Sequence, residues 1–174
     1  MILTDRKSNL PNQLTPATLY QYIFDLKSDD IIRREEARHQ LVQLGDTAVD
    51  YLEKFLHSKE DLLRWEITKT LAGIATPAAV PLLLEASEDK LSSIRWIAVE
   101  GLLRVGDSSI APLLTRLIDN SGSVFLLESA HHFFYILYKI RQKSDFKVLL
   151  KALETSKEIV PVLAEKMLND LDNF

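Results

Sequence analysis

An arginine recurs along this chain with the same apolar face behind it, and that recurrence limits the possible folds more than any other feature. Arg34, Arg64 and Arg95 stand 30 and 31 residues apart. Arg34 is followed by Ala37, Leu41 and Leu44, Arg64 by Ile67, Leu71 and Ile74, and Arg95 by Ala98, Leu102 and Val105. Apolar residues three, seven and ten positions after an anchor fall on one helical face. A period near 30 residues in a helical pattern means stacked helix pairs, each of which buries its apolar face against the next.

Turn residues follow each of these helices: Gly45-Asp46-Thr47, Ala75-Thr76-Pro77 and Gly106-Asp107-Ser108. Glycine ends a helix cheaply in a left-handed conformation, and Asp or Thr caps the next one. Second helices then read Val49-Leu52-Leu56, Val80-Leu83 and Ile110-Leu113-Leu117, with Pro81 and Pro112 aligned in first turns that tolerate proline. No alternating run is long enough for a sheet. The expected fold is therefore all-α, a superhelix of about four helical hairpins in a single domain over 1–174. Within it, 1–14 reads as a flexible tail, 15–27 as a capping helix opened by Thr15-Pro16, 29–156 as the repeats and 157–174 as a second capping helix.

The fourth unit, Ser123 to Ser156, departs from the pattern. Leu127 stands in the arginine's place, Ala130, Phe134 and Leu137 keep the core positions, and the link stretches from Lys139 to Ser144 before Asp145 opens the next helix. Its first helix is apolar nearly all round, which demands burial on more than one side. The last helix is expected to supply that cover, with Ile159, Val162, Leu163, Met167 and Leu168 on its apolar face.

Composition removes several classes of chemistry. The chain has no Cys, so it holds no disulfide, thiolate nucleophile or Cys-ligated metal. Its net charge of −4 and the lack of a Lys/Arg run argue against nucleic acid as a partner. No stretch approaches the ~18 apolar residues needed to span a bilayer, and Asp5 interrupts the run that a signal peptide would need. The expectation is a cytoplasmic protein with no membrane partner and no cofactor.

The arginine, its apolar followers, the Gly-Asp turn and the Pro-Leu-Leu of the second helix together resemble the short HEAT-like repeats associated with phycobilisome lyases. The resemblance covers roughly Asp29 to Ser156. It implies an α-solenoid, most members of which are adaptors, chaperones or assembly factors holding another macromolecule on the inner surface. It also raises an auxiliary role in bilin attachment, although full lyases of this kind are longer. A third implication is DNA binding of the alkylation-repair type, prompted by Arg64-Trp65 and Arg95-Trp96.

The residues that could carry function fall into several sets. Arg34, Arg64 and Arg95 are expected to form a structural ladder by pairing with acidic residues or helix ends of adjoining units, with Asp46 and Asp107 as candidates. Trp65 and Trp96 are expected to fill gaps between units rather than to form a rail. The aromatic helix offers Phe125, His132, Phe133, Tyr135 and Tyr138 as a surface for a protein partner or a second copy. In solenoids that the chain resembles, the second helices line the concave side, and there Asp50, Lys54, His57, Leu84, Ser87, Thr115, Arg116, Lys147 and Lys151 form a stripe running from acidic to basic. Glu128 and His131 have metal-ligand spacing, but the second copy that a di-iron site needs is missing. No catalytic motif occurs. The reading is a non-enzymatic protein-binding scaffold.

Overall fold

A side-chain cap or a proline opens several of the helices. Thr15 accepts a hydrogen bond from the Thr18 N–H and Pro16 takes the first position of α1 (Pro16–Asp25). Asp30 caps α2 (Ile31–Gln43) through the Ile32 N–H at 2.9 Å. The chain continues through α3 (Asp46–Glu53), α4 (Asp61–Ile74), α5 (Val80–Ala86), α6 (Ser92–Val105) and α7 (Ile110–Asp119). It ends with α8 (Val124–Arg141), α9 (Ser144–Thr155) and α10 (Val160–Leu171). This computed structural model describes residues 15–171, among which there is no strand; the tail expected over 1–14 and the end of the last capping segment lie outside the described residues.

The helices form two rows. α2, α4, α6 and α8 stack in succession, and α1, α3, α5 and α7 pack beside them, α5 reaching α4, α6 and α7. Gly101 allows a close step: a Cβ there would lie 2.9 Å from both Ala72 Cβ and Leu83 Cδ2, so α6 rides directly on α4. The result is an α-α solenoid, as the repeat period implies.

The turns inside the pairs explain why the period is 30 residues once and 31 the next time. Gly45 and Gly106 adopt φ of 55° and 83° with ψ of −134° and −138°, a region open in practice only to glycine rather than the ordinary left-handed helical well. From there the next helical segment starts at once. Ala75 cannot take that conformation and sits instead at φ 51°, ψ 39°, so the chain needs extended Thr76 as one more residue before Pro77.

The C-terminal end differs from expectation. The anticipated long link from Lys139 to Ser144 is absent, because α8 runs on through Arg141 and only left-handed Gln142 and Lys143 separate it from α9. Lys139 and Arg141 suit this extension, since cations are favoured in a last turn. The short link folds α9 back on α8, and the place on α7 goes to α10, which packs against α7 and α9. The last helix therefore covers α7 rather than the aromatic helix, which is buried by α6, α7 and α9.

Glycine should relieve the strain at position 75. Ala75→Gly is expected to stabilise the protein by about 1 kcal/mol, whereas Gly106→Ala should cost about 2 kcal/mol; urea unfolding of the two variants measures both.

Candidate interaction surface

The arginines set the orientation of the first three helices of the first row, α2, α4 and α6. Arg34 donates to the Ser28 carbonyl at 2.5 Å, Arg64 to the Ser58 carbonyl at 2.9 Å and Arg95 to the Asp89 carbonyl at 3.0 Å, in each case six residues back in the turn before its own helix. Each also reaches forward to a carboxylate of the following unit. Arg34 meets Glu66 at 3.3 Å, Arg64 grips Asp89 with two nitrogens at 2.7 and 3.2 Å, and Arg95 meets Glu128 at 2.8 Å. Arg38 adds a 2.5 Å bond to buried Glu66.

Asp46 and Asp107 are not the partners of these arginines. They lie at the far end of the first-row helices, about 18 Å along an axis that rises ~1.5 Å per residue. Asp46 accepts from the Thr76 hydroxyl at 2.5 Å, and Asp107 pairs with Arg141, so both tie turns together on the opposite edge.

Asp89 is the central joint. Burial alone would push its carboxyl up, but bonds from Arg64 and from the Leu91 N–H, together with the charge of Arg64, outweigh this and hold it below the ordinary aspartate range. A carboxyl so lowered contributes stability above its unfolded pKa and loses it as pH falls through the folded one. Asp89→Asn is expected to cost about 3 kcal/mol near neutrality, and the gap to wild type should close below about pH 4; denaturant melts from about pH 7 to about pH 3 follow it.

With each arginine turned inward, the residue after it turns out. Trp65 is half-buried, with Lys69 Nζ 4.5 Å from its ring centre. Trp96 is 54% exposed and does not fill a gap between units. Its indole N–H donates to Glu100 at 3.0 Å and its ring lies 4.0 Å from the His132 ring on α8. Burial holds the His132 pKa below its ordinary value, so near neutrality a neutral imidazole supports the indole. Sequence reasoning underrated Trp96; the usable signal was its place directly after an anchored arginine.

The aromatic residues of α8 divide around this contact. Phe125, 40% exposed, lies under the Arg95 guanidinium at 4.4 Å, and Tyr135, 43% exposed, stacks with His131 and carries Lys139 Nζ at 5.3 Å. Tyr138 is half-buried against the core. Phe133 is 0% exposed, packed edge-on to Phe134, so it belongs to the core and not to the surface. The apolar circumference of α8 misled here, because three helices rather than one cover it. Phe133→Ala should cost about 3–5 kcal/mol, while Tyr135→Ala should stay within about 1 kcal/mol; thermal melts separate the two.

A groove of about 200 Å³ between α6 and α8 is lined by Arg95, Trp96, Val99, Glu128 and His132 with Ser92 and Ser129. His131 bonds Glu154 at 3.0 Å and Glu128 is committed to Arg95, so this pair shares no common centre. Among the described residues, no group of three or more His, Asp or Glu side chains is placed to hold a metal ion.

The stripe expected along the second helices is only partly a surface. Leu84 is buried, and Ser87 is buried with its hydroxyl on the Leu84 carbonyl and its own carbonyl on Ser129. Asp50 is exposed, Lys54 lies on Tyr20 and Tyr51, His57 meets Glu85, Thr115 bonds the Ala111 carbonyl and Arg116 meets Glu88 at 2.9 Å. Lys147 and Lys151 are exposed on α9, but α10 holds the place beside α7, so they do not continue the row. A second groove of about 640 Å³ runs between α5 and α7, with Pro81, Leu84, Pro112, Thr115 and Arg116 among its walls.

A model of the HEAT-repeat family matches residues 17–102 and, in a second placement, residues 49–132. No curated protein matches the chain.

Proposed function

The chain belongs to the HEAT-repeat family, whose members are commonly protein-interaction scaffolds, and we propose that it is a non-enzymatic scaffold that docks a partner protein on the outer face of α6 and α8. The observation that carries this reading is the set of exposed rings on α6 and α8: Trp96 against the half-buried His132, Phe125 under Arg95 and Tyr135 on His131. Large aromatic side chains dominate the energetics of protein interfaces, because they bury much area while losing few rotamers. Here they stand on two helices locked together by Arg95 and Glu128, with Phe133 and Phe134 packed beneath, so the surface is ordered before a partner arrives.

The groove between α5 and α7 supports a second reading, in which a partner lies along the second helices. Proline and small residues at Pro81, Ala111 and Pro112 keep its walls low. The two surfaces lie on different helix rows and separate by mutation.

The test is affinity capture from native lysate by wild type, by Trp96→Ala/Tyr135→Ala and by Thr115→Arg, each shown by circular dichroism to melt like wild type. A partner held by wild type and Thr115→Arg and lost by the double variant is the expected result. Retention by the double variant together with loss by Thr115→Arg would move the interface to the second helices.

A further inference from the structure

The first-row helices repeat a pair of outward positions four residues apart, and the pair changes character along the stack. It is Glu35 and His39 in α2, Trp65 and Lys69 in α4, Trp96 and Glu100 in α6, and Glu128 and His132 in α8. In α4 the protein caps its own tryptophan, since Lys69 lies over the Trp65 ring. One repeat later a carboxylate stands where that lysine stood. Trp96 leans on His132 on one side and remains 54% exposed, and among the described residues no cation lies over its ring.

The surrounding charges are engaged to different degrees. Arg95 is consumed by Glu128, the Asp89 carbonyl and the Phe125 ring. Arg104 bonds the Ala72 carbonyl and forms a loose ion pair with one Glu100 oxygen at 3.7 Å, while the other Glu100 oxygen accepts the Trp96 indole N–H and the side chain stays 44% exposed. Glu128 spends one oxygen on Arg95 and keeps a side chain that is 60% exposed in the same groove as Trp96. A half-exposed indole with two solvent-exposed carboxylates near it, Glu100 on its own helix and Glu128 in its groove, attracts a cation, and an arginine or lysine side chain over tryptophan is the strongest of these contacts.

Resting on the docking reading above, we infer that the groove between α6 and α8 receives an arginine side chain from a basic stretch of the partner, seated on the Trp96 ring with Glu100 and Glu128 beside it. The missing lysine at position 100 is then supplied by the partner rather than by the chain.

The probe is a short arginine-glycine peptide, titrated into the 15N-labelled full chain beside the same peptide with citrulline in place of arginine. The indole N–H signal of Trp96, assigned with Trp96→Phe, is the readout. It is expected to shift saturably with the arginine peptide and about tenfold more weakly with citrulline, which removes the charge but keeps the shape. Glu100→Lys, which restores the arrangement of α4, should reduce the arginine response to the citrulline level, and Glu100→Gln should weaken it without reshaping the groove. Equal responses to both peptides, an unaltered response in Glu100→Lys, or a Trp96 signal that never moves would overturn the inference. A still Trp96 signal would leave the docking reading standing as long as the lysate partner is lost by Trp96→Ala/Tyr135→Ala; retention of that partner would remove the docking reading itself.

Discussion

One clamp positions the repeats of this solenoid: an arginine near the start of α2, α4 and α6, bonded back to a carbonyl in the preceding turn and forward to a carboxylate of the next unit. A buried guanidinium is expensive unless all its donors are used, and Arg64 uses its donors on Ser58, Asp61 and Asp89. The clamp therefore fixes rotation as well as spacing. Once the arginine points inward, apolar residues three, seven and ten positions on must enter the core, and the residue just after it must face out.

The clamp ends at Leu127, and the fold changes with it. Without an arginine to set the next helix, α8 is held by mass of apolar contact, with Phe133 and Phe134 fully buried and α9 hinged tightly back through Gln142 and Lys143. α10 then closes the second row against α7. A repeat stack needs its final apolar face covered, and this arrangement covers α7 and α8 with two different helices. It also leaves part of α8 uncovered, where Phe125 and Tyr135 meet solvent.

The repeat period, the helical class and the inward face of the first three units were legible in the sequence, because residues such as Leu41, Leu71 and Leu102 recur in helical register. What was not legible depended on which helix meets which. Asp46 and Asp107 carry the right charge to pair with the arginines but sit at the wrong end of the rods. Phe133 and Tyr135 look alike by composition, yet only the packing of three neighbours separates a core residue from a surface one. Likewise nothing local says that α10 rather than α9 lies on α7, which is why Lys147 and Lys151 were placed in a row that they do not join. Trp96 was partly legible: the contrast between Lys69 and Glu100 at equivalent positions is in the sequence, but its meaning required the exposed ring.

In the proposed function a partner protein covers Trp96. A Trp65→Phe form leaves Trp96 as the sole tryptophan of the chain, so its fluorescence reports that site alone. Emission should be red-shifted and open to acrylamide quenching in the free protein, then shift to the blue and become protected when the captured partner binds. A partner that binds at full strength while Trp96 stays as red and as quenchable as before would contradict the account.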